Sequence, residues 1–165
     1  MFMNLELIEI REGNFLLKHY ENLRKMKDGD IPDAPIGQFL GFKVVEVEQG
    51  MVVLEMDTSE RLYNPMGTLH GGILCDLSDA AMGYAFASTL ADDEAFTTLE
   101  IKLNFLKPIW KTKLRAVSKV IKKGTNISLL ECHVYDAEKS LVAYSTSTCM
   151  ILRDKMAKGR EIKDK

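Results

Sequence analysis

At 165 residues, with 22 Lys and Arg against 24 Asp and Glu, the chain has the length of one domain and a net charge of −2, which leaves no basic excess to attract nucleic acid. Its 46% hydrophobic and 28% charged residues are an ordinary globular balance, able to bury about 70% of the chain's surface and unlike a collagenous, disordered or membrane-embedded composition. No stretch reaches the ~18 apolar residues of a membrane span, the start of the chain lacks a basic, signal-like region, and Cys75, Cys132 and Cys149 have neither zinc nor redox spacing, so a soluble protein of a reducing, cytoplasmic compartment is expected.

Residues 12–27 place Leu16, Tyr20, Leu23 and Lys27 at helical spacing ahead of Gly29, predicting a short amphipathic leader helix. Pro32 and Pro35 then read as a connector, because proline lacks a backbone donor and drives its predecessor extended. Two β-rich runs, 42–48 and 51–57, flank Gln49-Gly50, a tight hairpin in which glycine supplies positive φ.

The one long helical candidate runs from about His70 to Ser88. Its periodicity gathers Ile73, Leu77, Ala80, Ala81, Tyr84 and Ser88 on an arc suited to a sheet, and Gly72, Asp76, Asp79 and Gly83 on the other side. Glycine inside a helix costs roughly 0.5–1 kcal/mol relative to alanine, so a neighbour that needs the space is expected. Next, Leu99, Ile101, Leu103 and Phe105 alternate with Thr98, Glu100, Lys102 and Asn104, a strand with one buried face. Runs at 113–122, 126–136 and 140–152 complete a meander, and a tail from 153 to 165 with six basic and three acidic residues reads as solvated. The expected fold is α+β, a five- or six-stranded antiparallel sheet around one buried helix. Residues 1–35 form the leader, 36–152 the main domain and 153–165 the tail.

The stretch from Leu62 to Gly72 carries the chemistry. Asn64-Pro65 and Gly67 make a turn, and His70-Gly71-Gly72 opens the helix, where unpaired N–H groups and the positive dipole end converge. A thioester carbonyl fits there, with the Gly71 N–H as oxyanion donor. Asp79, two turns on, suits a nucleophile or a general base to water. In an anonymous helix Asp79 would read as a solvated carboxylate; the surrounding residues favour the catalytic role. His70 reads as an orienting group, and Asp76 as structural.

These residues, Asn64-x-x-Gly67-x-x-His70-Gly71-Gly72 followed by Asp79 and Gly83, resemble the hot-dog fold thioesterases of the phenylacetate-pathway type over about residues 36–152. The resemblance implies acyl-CoA hydrolysis in two sites built across a dimer interface. Asp79 would be the catalytic carboxylate, Asn64 would orient the carbonyl or the attacking water, His70 would buttress the loop, and the Gly71 N–H would polarise the carbonyl, with Gly72 beside it. Thr98, or Thr97 if the register slips by one, would help place the water. The basic turn Lys122-Lys123-Gly124-Thr125-Asn126 would meet the CoA phosphates, Lys122, Lys123, Gly124 and Asn126 being the contact residues; as a lone motif it is an ordinary solvated turn. Phe105 and Trp110 suit contacts to the CoA arm or the core.

The implied partners are acyl-CoA and a second copy, as a homodimer or dimer of dimers, with no nucleic acid or membrane. No metal is implied, and CoA enters as part of the substrate, not as a cofactor. The alternative is a non-catalytic acyl-CoA binding or sensing module, against which Asp79 speaks, since a carboxylate gains a pure binder nothing toward an anionic ligand. A hydratase would pair Asp and His within the helix entry, a pattern absent here.

Overall fold

The computed structural model describes residues 17–160. Two short helices, α1 (Lys18–Asp28) and α2 (Pro35–Leu40), precede strands β1 (Phe42–Glu48) and β2 (Met51–Asp57). The long helix α3 (Gly71–Ala87) follows, and then β3 (Ala95–Phe105), β4 (Lys113–Lys123), β5 (Ile127–Tyr135) and β6 (Leu141–Leu152). The six strands form one sheet in the order β1-β2-β4-β5-β6-β3, every neighbouring pair antiparallel. The sheet wraps α3, as the resemblance implies. No helix among the described residues is long and apolar enough to cross a membrane.

The leader helix ends at Gly29, whose φ of 83° closes the last turn as an L side chain rarely does. Its first predicted residues, 12–16, lie outside the described residues. Leu23 and Met26 are buried in the same core as α3 and the sheet, so α1 is packed as an integral layer. The expected connector holds an unforeseen helix: Pro35 sits in the first turn of α2, where a missing donor is harmless because the first N–H groups have no intrahelical partner.

The β1–β2 hairpin pairs Glu48 with Met51 around Gly50, at φ 81°. Around α3 the buried arc is displaced by one residue from the expected one. Leu74, Leu77, Ser78, Ala81, Met82, Ala85 and Phe86 are buried, while Ile73, Ala80 and Tyr84 are only half-buried. Gly83, expected on the side away from the sheet, is buried too. A Cβ there would come 3.1 Å from the Phe96 ring, and one at Gly71 would come 2.9 Å from the Phe105 ring. Both rings belong to β3, so the neighbour that the glycines make room for is the sheet's own edge strand.

Strand β3 also departs from simple alternation. The β3–β6 ladder pairs Thr98 with Cys149 and then Glu100 with Thr148, so Leu99 is an extra, bulged residue. Leu99 is 53% exposed, not buried as the period-2 pattern predicts. A bulge shifts the parity of the strand. Phe96 and Thr98 therefore share the inner face with Ile101, Leu103 and Phe105, opposite Ile151, Cys149, Ser147, Ser145 and Ala143 of β6.

Past β6, Arg153 turns back onto Glu94, with its Nε 3.0 Å from Oε1, and donates to Asn126 Oδ1 and the Thr125 carbonyl at 3.1 and 2.8 Å. The start of the charged tail is thereby fastened to the domain; residues 161–165 lie outside the described residues.

Candidate active site

The loop before α3 is built by Asn64. Its Oδ1 accepts from the Met66 N–H at 2.8 Å and its Nδ2 donates to Thr68 Oγ1 at 2.9 Å, while its backbone N–H donates to the Thr68 carbonyl. Gly67, at φ 77°, closes the turn. The ends of the loop are pinned by Leu69 N–H to the Ile109 carbonyl and His70 N–H to the Leu62 carbonyl.

His70 caps the helix: its Nδ1 accepts from the Gly72 N–H at 2.9 Å. Nδ1 is thus unprotonated, and the exposed ring carries its proton on Nε2. This engages the Gly72 N–H, which has nothing left for a ligand. The Gly71 N–H, by contrast, has no hydrogen-bond acceptor among the described residues. It lies at the positive end of a 17-residue helix, where an incipient oxyanion is stabilised by both the hydrogen bond and the dipole. Gly71, Asn64, Thr68 and Leu74 line a cleft of about 420 Å³ whose far wall is Phe105 to Ile109. Phe105, 61% exposed, lays its ring against Gly71.

Asp79 lies eight residues beyond Gly71 on the same helix, about 12 Å along its axis. Thr98 Oγ1 donates to Asp79 Oδ1 at 3.1 Å, and Oδ2 has no partner among the described residues. Thr97 pairs with Met150 on the opposite face of β3, so of the two threonines it is Thr98 that meets the carboxylate. Asp79 also acts on its neighbours along α3. Burial and then the Asp79 charge raise the Asp76 carboxyl above its usual range, and burial followed by the Asp76 and Asp79 charges pushes up the Cys75 thiol.

The basic turn is arranged differently. Lys123 Nζ donates to the Thr89 carbonyl and stands 3.8 Å from Glu94, and burial pulls its pKa down. Asn126 accepts from Arg153 through Oδ1, and its carbonyl accepts from the Ile151 N–H. The Gly124 N–H is bonded to the Ile127 carbonyl. Only Lys122 is exposed with its ammonium unpaired among the described residues, beside a shallow depression it shares with Gly124, Ile127, Leu129 and Thr148. Gly71 and this turn lie at opposite ends of α3, since Lys123 reaches Thr89 just past its C-terminus.

Arg153 and Glu94, which hold the turn together, had no local signature, because they meet across 59 residues of chain. Among the described residues no three His, Cys, Asp or Glu side chains group as metal ligands.

A family model described as Thioesterase superfamily matches residues 66–143. A provisionally named esterase of Saccharolobus solfataricus is 36% identical over 121 residues, 73% of this chain and 86% of that one. The 1,4-dihydroxy-2-naphthoyl-CoA hydrolase of Listeria monocytogenes is 28% identical over 68% of this chain and 91% of its own. Among solved structures, a phenylacetic acid degradation-related protein of Ralstonia eutropha superposes with a TM-score of 0.71 at 26% identity, covering 78% of this chain and 98% of that one.

Proposed function

Because the chain belongs to the thioesterase superfamily, we propose that it hydrolyses acyl-CoA thioesters to the free acid and CoA, with Asp79 as the catalytic carboxylate and the Gly71 N–H as the oxyanion donor. The observation that supports this reading is that α3 offers both an N-terminal N–H without an acceptor among the described residues, at Gly71, and, further along, a carboxylate that accepts from the Thr98 hydroxyl, at Asp79.

As general base, Asp79 takes a proton from water as the water oxygen attacks the thioester carbon. The carbonyl oxygen becomes an oxyanion facing Gly71, the C–S bond breaks as the carbonyl re-forms, and the departing thiolate of CoA takes the proton from the Asp79 carboxyl. As nucleophile, Oδ2 attacks the same carbon and expels the thiolate, and water then opens the resulting anhydride. Labelled water separates the two: in a single turnover, ¹⁸O enters the Asp79 carboxylate only by the anhydride route.

A nucleophile and an oxyanion donor acting on one carbonyl stand roughly 5–6 Å apart, given reacting atoms at about 3 Å and donors at about 3 Å. The ~12 Å rise between Gly71 and Asp79 is too long for that. This separation supports a homodimer, or a dimer of dimers, in which Gly71 of one copy works with Asp79 of the other. The exposed edge strand β3, beside both residues, offers the contact. Lys122 is the member of the basic turn placed to meet CoA phosphate. The three unpaired cysteines support a cytoplasmic location.

Thiol release from short, medium, long and aromatic acyl-CoAs tests the reading. Asp79→Asn is expected to lower kcat by about 10²–10⁴, the range of general acid–base catalysis, with oligomeric state and Tm retained. Wild-type protein that binds acyl-CoA without releasing thiol would instead establish the non-catalytic binding module.

A further inference from the structure

The Thr98 hydroxyl that faces Asp79 is itself held by a string of side chains along β6. Thr98 Oγ1 lies 3.9 Å from Cys149 Sγ, and Cys149 Sγ lies 3.7 Å from Ser147 Oγ. Ser147 Oγ in turn donates to the Glu100 carbonyl at 2.9 Å. Cys149 and Ser147 are both almost wholly buried. The string thus runs from the backbone on the far side of the Leu99 bulge, through two buried side chains, to the hydroxyl on the near side and on to the carboxylate.

The protons along it are settled by counting. A hydroxyl has one proton to donate. That of Ser147 is on the Glu100 carbonyl and that of Thr98 is on Asp79, so the only proton available to the two sulfur contacts is the Cys149 S–H. Burial pushes this thiol up from its usual range, which keeps it an S–H donor at neutral pH. That single proton can serve only one of the two contacts, and its direction is toward Thr98 Oγ1, so Thr98 accepts from sulfur while its own proton goes to Asp79 Oδ1.

We propose that Cys149 is a positioning residue for the hydrolytic site, its S–H fixing the Thr98 hydroxyl as a donor to Asp79 so that Oδ2 is the oxygen presented to water or substrate. The proposal rests on the thioesterase reading. It explains why a thiol, and not an aliphatic side chain, stands on the inner face of β6 opposite Thr98 across the ladder.

The test compares Cys149→Val, which fills the site without a donor, with Cys149→Ser, which restores one. For Cys149→Val, kcat should fall roughly three- to tenfold, the scale of one neutral hydrogen bond, with KM unchanged and Tm at or above wild type. For Cys149→Ser, kcat should stay within about twofold of wild type although burying a second hydroxyl lowers Tm. The two orders run in opposite directions, which a purely packing role cannot produce. In a Thr98→Val background, Cys149→Val should change kcat no further. Activity that follows Tm across the variants, or an undiminished effect without the Thr98 hydroxyl, overturns the positioning role. Should Cys149→Val fail to fold, Cys149→Ala serves as the non-donor under the same criteria. Wild-type protein inert on every thioester overturns the thioesterase reading and the proposal together, whereas an active wild type with unimpaired Cys149→Val overturns the proposal alone.

Discussion

Two glycine-containing turns in this molecule carry similar signals for binding an anion, and the structure uses them in opposite ways. At His70-Gly71-Gly72 the Gly72 N–H is taken by the His70 ring, and the Gly71 N–H before it has no acceptor among the described residues and borders a cleft. At Lys122-Lys123-Gly124 the glycine N–H, one lysine and the nearby Asn126 are all bonded within the protein. Composition gives the capacity to bind an anion; what decides the outcome is whether the donors are already engaged.

Glycine-to-alanine substitution in the two turns puts this contrast under the greatest strain. In Gly71→Ala the new Cβ meets the end of an exposed Phe105 ring that can swing aside, so the fold should hold while the methyl crowds the oxyanion position. A kcat/KM loss of about 10–100-fold is expected, below the 10²–10³ of deleting an oxyanion donor outright, with little change in Tm. In Gly124→Ala the Cβ would collide with the Ile127 carbonyl oxygen, a backbone atom, and the hairpin must move. Here about 1–3 kcal/mol of stability should be lost with kcat nearly intact. If both substitutions cost only activity, or both only stability, the two turns do not differ as described.

The adjacent lysines sharpen the same comparison on a smaller scale. Lys122→Ala should raise KM for acyl-CoA a few-fold, as loss of one exposed phosphate contact would, without moving Tm. Lys123→Met should chiefly change thermal stability, because its ammonium is occupied by Thr89 and Glu94. Isothermal binding of CoA beside thermal melts distinguishes the two.

The smallest expected effect is a pH dependence at the anchor of the basic turn. Burial works to raise the Glu94 pKa, but the Ala91 N–H, the Arg153 hydrogen bond and the Lys123 and Arg153 charges outweigh it and hold the carboxyl below its ordinary 4.5. The unfolded chain then binds the proton more readily than the native one. The contribution is fully present above pH 4.5 and is lost as pH falls through the lower native value. Denaturant melts of wild type and Glu94→Gln should therefore converge on acidification, and parallel melts across that range would show the carboxylate to be inert.

Much of the site was legible because its signals are local. The Asn64 turn, the His70 cap and the start of α3 involve residues within a few positions of one another, and their hydrogen bonds close inside the loop. The hairpin at Gly50 and the long helix were readable for the same reason, since turn chemistry and helical period are properties of a short window. Local reading failed where an outcome depended on distant chain. Leu99 belongs to a flawless alternating pattern, yet the β6 register makes it a bulge and turns Thr98 inward to Asp79. The glycines of α3 announced a close neighbour without naming it, and only the docking of β3 supplies Phe96 and Phe105. Lys123 and Asn126 kept the composition of a phosphate turn while Glu94 and Arg153 engaged them from elsewhere in the sequence.

The sequence by itself determined the elements and the helix entry, because propensities, caps and turns are settled among neighbours along the chain. Tertiary structure alone decided which N–H remained free, which threonine faced the carboxylate and which cations were already paired. Those outcomes depend on register and on partners tens of residues away, and no short window of sequence contains them.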